Sequence, residues 1–170
     1  MLILIGWANI YAAQHDFARE MAREFGYPGL FLGAAASGFN LVVPVPMVAF
    51  FPFFMEVGFD AVLTVLLIAL GMTTGDLIGY LLGRTTREMF APRVRGMMER
   101  LERLRDQHAV LPFVIMFLYA ALAPIPNEIL VIPLAFLRYP LVGIFTAVLA
   151  GNLIFNSIVA FGVFGAFEAF

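Results

Sequence analysis

Two apolar stretches of this chain are each cut by a closely spaced pair of prolines. Residues 28–58 contain Pro44 and Pro46, with Pro52 further on; residues 110–138 contain Pro124 and Pro126, with Pro133 further on. A proline inside a helix removes a backbone donor and clashes with the carbonyl one turn back. Two of them two residues apart break the helix rather than kink it. The form expected for each stretch is therefore a re-entrant hairpin, with one arm descending, a turn at the proline pair, and a second arm returning to the same side. In the first hairpin, about fifteen residues descend from Gly29 and about a dozen return to Val57, at about 1.5 Å per residue. Each arm then covers roughly 18–22 Å, a little over half of a hydrocarbon core. Irregular backbone at that depth has to be enclosed by protein or line a wet cavity. A single proline-kinked span is the alternative.

Each broken stretch is followed by an unbroken apolar run of crossing length, residues 60–83 and 141–165. Asp60 is placed to cap the first of these. Within it, Gly71, Gly75, Gly79 and Gly83 recur at four-residue intervals, one row on one helix face. Such a row is poor for a helix in water, but lets another backbone approach closely inside a membrane. The composition agrees: 62% of the 170 residues are hydrophobic and 13% charged, where soluble domains carry about 25%. The fold class expected is an all-α integral membrane protein, residues 1–170 forming a single membrane domain. Nothing at the N-terminus has the pattern of a removable signal peptide. Cysteine is absent, so no thiol or disulfide chemistry is expected, and the net charge of -2 argues against a nucleic-acid partner.

Two amphipathic segments complete the pattern. Residues 7–25 carry a stripe of Ala13, Phe17, Met21 and Phe25, ending at Gly26 and Pro28; they are expected as a helix in the plane of the membrane surface, or else as a solvated helix packed on the domain. Residues 86–108 are expected as a second amphipathic helix, and residues 84–108 hold seven of the ten arginines. The order of parts thus runs surface helix, broken hairpin, crossing helix, twice. A shift of 80 places Pro44 on Pro124, Pro46 on Pro126, Gly71 on Gly151 and Asp76 on Asn156. A hairpin leaves on the side it entered and a span crosses, so the two halves come out as inverted repeats with hairpin tips meeting near the midplane, a transporter pattern. The arginine bias puts segment 84–105 in the cytoplasm.

Pro-Val-Pro in the first hairpin, Gly71-x3-Gly75-Asp76-x2-Gly79-Tyr80-x2-Gly83-Arg84 in the first span, and Pro-Ile-Pro-Asn-Glu in the second hairpin resemble the DedA/VTT-domain membrane proteins, once called SNARE-associated. The resemblance covers roughly residues 27–165. It implies a lipid transporter, a scramblase or flippase of a phospholipid or polyprenyl phosphate, proton-coupled in some members. It also implies the prokaryotic inner (plasma) membrane, with membrane lipids and protons as partners. A small-solute or drug exporter on the same scaffold, or a non-transporting membrane-homeostasis or assembly protein, are the alternatives. A homo-oligomer is compatible with the glycine row, although an internal contact is the preferred use of it.

The candidate route for substrate and protons is built from Glu128, Asp76, Asn127, Arg138 and Asn156. Glu128 follows Pro126 and Asn127 at a hairpin tip, and an ionisable group at that depth is a functional candidate by default; capping the return arm is the alternative for Glu128 and Asn127 alike. Asp76 adjoins the glycine row, with Asn152 and Asn156 as counterparts in the second half that more often join helices than bind ligands. Arg138, at the mouth of the second hairpin, is placed to meet a lipid phosphate or to snorkel to the headgroups. Glu56 and Asp60 occupy the mouth of the first. No catalytic motif is present, no histidine has a partner at metal-ligand spacing, and no enzyme activity, metal or cofactor is expected.

Overall fold

The computed structural model of the chain describes residues 9, 11, 12, 14–38, 47–85, 96, 99, 100, 102, 103, 108 and 110–168. Pro44, Pro46 and most of the segment 86–108 lie outside the described residues, and with them the expected first turn and second amphipathic helix. Among the described residues all regular structure is helical: α1 (Asp16–Gly38), a 3-10 turn (Met47–Phe50) leading into α2 (Phe51–Val57), α3 (Ala61–Thr85), α4 (Leu111–Leu122), α5 (Glu128–Phe136) and α6 (Leu141–Glu168). Two stretches, Ala61–Leu82 and Leu141–Gly162, are long and apolar enough to cross a membrane.

The N-terminal helix differs from the expected 7–25 unit. His15 is non-helical, and α1 begins after it. The His15 ring lies on Tyr11 at 3.8 Å between centroids, and its Nδ1 bonds to the Tyr11 carbonyl at 2.8 Å. That local bond competes with continuation of the helix. At the other end Gly26 bends the helix instead of ending it, with φ 52° and ψ -143°, a backbone state open to glycine. The face of α1 turned to the core carries Ala18 and Ala22, while Phe17 and Phe25 of the expected stripe are exposed.

Two cores organise the rest. One gathers Leu30 and Ala34 of α1, Phe51, Phe53 and Phe54 of α2, Val65, Ile68 and Met72 of α3, and Ala160 of α6. The other gathers Met116 and Ala120 of α4, Val131, Leu134 and Phe136 of α5, Ile144, Ala147 and Val148 of α6, and Tyr80 of α3. The early part of α3 thus meets the late part of α6, and the late part of α3 meets the early part of α6. The two long helices are antiparallel.

Equivalent contacts recur in the two halves. Gly71 lies against α1, where an added Cβ would sit 2.6 Å from both Ala34 Cβ and the Phe31 carbonyl oxygen; Gly151 lies against α4, where it would sit 2.5 Å from Ala120 Cβ and 2.8 Å from the Phe117 oxygen. The Tyr27 ring meets Phe59 edge-on, and the Phe113 ring meets Tyr139 edge-on. Before α3, Gly58 N–H donates to Met55 and Phe59 N–H to Phe54; before α6, Arg138 N–H donates to Ala135 and Tyr139 N–H to Leu134. Asp60 caps α3 through its Oδ1, which accepts from Leu63 N–H at 2.8 Å, as the sequence leads one to expect.

Candidate functional site

The second proline pair separates two helices. Pro124 and Pro126 lie in non-helical backbone between α4 and α5, and the Tyr119 hydroxyl donates to the Pro126 carbonyl at 3.3 Å, pinning the turn to α4. Pro133 sits inside α5. The turn delivers Asn127 and Glu128 to the N-terminus of α5, where both are buried.

Asn127 occupies the N-cap position, but its side chain makes no capping bond. Its Nδ2 donates instead to Asp76 Oδ2 at 3.0 Å and to Asn152 Oδ1 at 3.1 Å. Asn152 Nδ2 donates to the same Asp76 Oδ2 at 3.0 Å and to Thr73 Oγ1 at 3.0 Å. Thr73 in turn donates to the Ala69 carbonyl at 2.7 Å. Two amide groups from two helices therefore hold one carboxylate oxygen of a third. Asp76, Asn127 and Asn152 form a closed polar triangle about halfway along both long helices, with 2%, 6% and 2% of their surfaces exposed. Burial of this many polar groups is tolerable only when they are paired.

The pairing stops short at Asp76 Oδ1 and Asn156 Oδ1, both buried and without a hydrogen-bond partner among the described residues. Asn156 Nδ2 donates to the Asn152 backbone carbonyl at 2.7 Å, one turn back along α6. Glu128 enters the same region from α5 and is 2% exposed. No basic side chain pairs with Asp76 among the described residues; the one ion pair among them, Arg19–Glu56 at 3.6 Å, joins α1 to α2.

The structure thus brings Asp76, Asn127, Glu128, Asn152 and Asn156 together in one buried region, and places Arg138 elsewhere. Arg138 is exposed, at the far end of α5. Of the glycine row, Gly71 receives α1; Gly75 and Gly79 are buried in α3, and the surroundings of Gly83 lie outside the described residues. On the α1 side, Gly38 meets the Met72 backbone so closely that a side chain there has no room. The C-terminal end of α1 thus reaches α3 one residue from Thr73.

Three contributors are less visible in the sequence. Thr73 is one of two adjacent threonines, with nothing to single it out. Tyr80, 1% exposed, donates to the Tyr139 carbonyl at 2.7 Å and ties α3 to the turn before α6. Asn9 donates to the Ala49 carbonyl at 2.9 Å and accepts from Phe53 N–H at 3.2 Å, satisfying backbone at the start of α2; its one signal is an amide among apolar neighbours. No protein-family model, curated protein or solved structure matches this chain.

Proposed function

We propose that this chain is an integral membrane protein of the DedA/VTT type, built as an inverted repeat of hairpin plus span, that moves a lipid from one leaflet to the other. The observation that carries the proposal is the buried triangle of Asp76, Asn127 and Asn152, set at the tip of a broken helix and midway along two long apolar helices. Ionisable groups at such a place are costly in a bilayer and mark pathways by default. The bilayer itself is favoured by the outer faces of the long helices, where Val62, Leu66, Leu70, Ile78, Leu81, Val142, Ile154, Ile158 and Phe161 are all exposed, a spread that water does not favour. The inverted repeat is supported by the antiparallel long helices and by contacts that recur 86 residues apart before the proline pairs and 80 after them. Under this reading the hairpins open on opposite faces, and the arginine-rich segment is cytoplasmic.

Donor groups of a passing headgroup, its hydroxyls or ammonium, would use the acceptors that the triangle leaves open, with Glu128 and Asp76 along the polar route and protons as the coupling ion. A second reading has its own support. Asp76 Oδ2 already takes two amide donors, as in a polar clasp that joins helices, and a non-transporting assembly protein needs no more than that.

Fluorescent-lipid scrambling in proteoliposomes separates the two. Lipid movement predicts a rate well above protein-free vesicles, lowered by Glu128→Gln and by Asp76→Leu in protein that still reconstitutes. A wild-type rate at the protein-free background removes the transport reading and leaves the clasp.

A further inference from the structure

The network around Asp76 has spent its donors and kept its lone pairs. Both hydrogens of the Asn127 amide are given, to Asp76 Oδ2 and Asn152 Oδ1. Both hydrogens of the Asn152 amide are given, to Asp76 Oδ2 and Thr73 Oγ1. The Thr73 hydroxyl gives its one hydrogen to the Ala69 carbonyl. What remains is oxygen. Asp76 Oδ1 and Asn156 Oδ1 meet no donor among the described residues, and the two residues are 2% and 0% exposed. A buried acceptor left in this state carries its whole desolvation penalty.

The two oxygens belong to one neighbourhood. Asn152 touches both residues: its amide holds the Asp76 carboxyl group, and its backbone carbonyl accepts from Asn156 Nδ2 at 2.7 Å. Asn152 and Asn156 are one turn apart, so they share a face of α6, and through Asn152 that face meets Thr73 and Asp76 of α3. Glu128 brings a second carboxyl group, near enough for its charge to act on Asp76. No basic side chain pairs with Asp76 among the described residues.

Such a place selects by charge. The triangle has no hydrogen left to offer, so it gives an anion nothing to bind. It suits a group that brings positive charge to bare oxygens. Carboxylate and amide oxygens are hard ligands, matched to hard cations and not to the softer transition metals. Magnesium keeps several of its waters, and calcium gathers about six oxygens or more. Sodium gives up water more readily and neutralises a single carboxylate. Coupling ions in repeat-built transporters sit where a broken helix meets two long ones, which is the position of Asp76. We propose that Asp76 Oδ1 and Asn156 Oδ1 are ligands of a sodium ion held between α3 and α6, beside the N-terminus of α5. Asp76 Oδ2 stays with its two amides, so one oxygen joins the helices and the other holds the ion. The site stands on the buried network alone and does not depend on lipid movement.

The test is the thermal unfolding midpoint of the full chain in detergent. The buffer is alkaline, so that carboxyl groups are ionised, and sodium chloride replaces choline chloride at constant ionic strength. A ligand of the folded state raises the midpoint with its concentration, and wild type is expected to show a saturable rise with sodium. Radioactive sodium retained by the immobilised chain reads the site directly. Asn156→Leu weakens sodium about tenfold, the scale of one contact to a charge. Asp76→Asn abolishes retention, while Gly162→Ala, in open surroundings, keeps it. Circular dichroism shows that each variant is helical, and the wild-type titration needs no variant at all. Equal wild-type midpoints in sodium and choline, undiminished retention by Asp76→Asn, or a response to magnesium or calcium alone overturns the proposal. Sodium retention with scrambling at the protein-free background leaves the site and removes transport. Scrambling without sodium retention leaves transport and removes the site.

Discussion

Replacing Gly151 by alanine adds one carbon where there is no room for it. The new Cβ would lie 2.5 Å from Ala120 Cβ, 2.8 Å from the Phe117 oxygen and 3.0 Å from Ala121 N. Ordinary carbon contacts begin nearer 3.5 Å, so α4 and α6 would have to part by most of an ångström. Two of the three atoms are backbone and cannot rotate away. Overpacking costs about 1–3 kcal/mol, and the rigidity here argues for the upper end, about 3 kcal/mol. Ala120→Gly in the same chain removes the nearest atom but leaves the other two, so the rescue is partial, about 1 kcal/mol. Gly162, eleven residues along the same helix, meets nothing within 4 Å. There Gly→Ala is expected to be neutral or to stabilise by up to about 1 kcal/mol. The assay is reversible unfolding in mixed micelles, with far-UV circular dichroism to show that each variant begins helical. Equal stabilities for the Gly151 and Gly162 variants would refute the close approach of α4 and α6, and with it the account of how the second hairpin is held.

The remaining predictions concern polar contacts. Asn152→Leu leaves Asp76 Oδ2 with a single donor and takes one bond each from Thr73 and Asn127, at about 2 kcal/mol; a double-mutant cycle with Asp76→Leu should return a coupling of about 0.6–1.7 kcal/mol, the scale of interhelical bonds in membranes, and zero coupling would dissolve the triangle. Tyr80→Phe removes the donor to the buried Tyr139 carbonyl and should cost about 1 kcal/mol; an unchanged unfolding midpoint would show that α3 is not tied to that turn.

The parts of this fold that are legible in sequence are those written in backbone chemistry. Proline at 124 and 126 removes donors whatever surrounds it, and the α4–α5 turn falls there. Asp60 is followed by an apolar run, and α3 starts one residue later. The N-terminal segment was harder because its stripe of Phe17, Met21 and Phe25 has the helical period on a face that the core does not use, while small Ala18 and Ala22 make the contact. Periodicity reports which residues share a face, not which face packs. The site divides in the same way. Asp76 and Glu128 are conspicuous because acids are rare in such runs. Asn127, by contrast, has the composition and position of a cap, and only the register of α5 against α3 and α6 turns its amide toward Asp76 instead. Which of several amides meets an acid is a matter of tertiary packing, and no local pattern encodes it.

The proposed repeat sharpens what the polar residues are for. The scaffold contacts appear in both halves: glycine against an alanine-bearing arm at 71 and 151, an edge-on ring pair at each mouth, matching turn bonds before each long helix. The chemistry does not. Asp76 has an amide, Asn156, at its counterpart; Asn127 has Met47; Arg138 has Gly58. Side chains needed only to hold one helix against the next would be needed in both halves, because α1 against α3 and α4 against α6 are held by the same kind of close packing. Neither buried acid is duplicated: Asp76 has the amide Asn156 at its counterpart, and Glu128 has Val48. Gly58→Arg tests the turn itself: it should cost about 1 kcal/mol of backbone strain, read as a lowered unfolding midpoint in micelles. An unchanged midpoint would mean that this turn tolerates a side chain as readily as the one at Arg138.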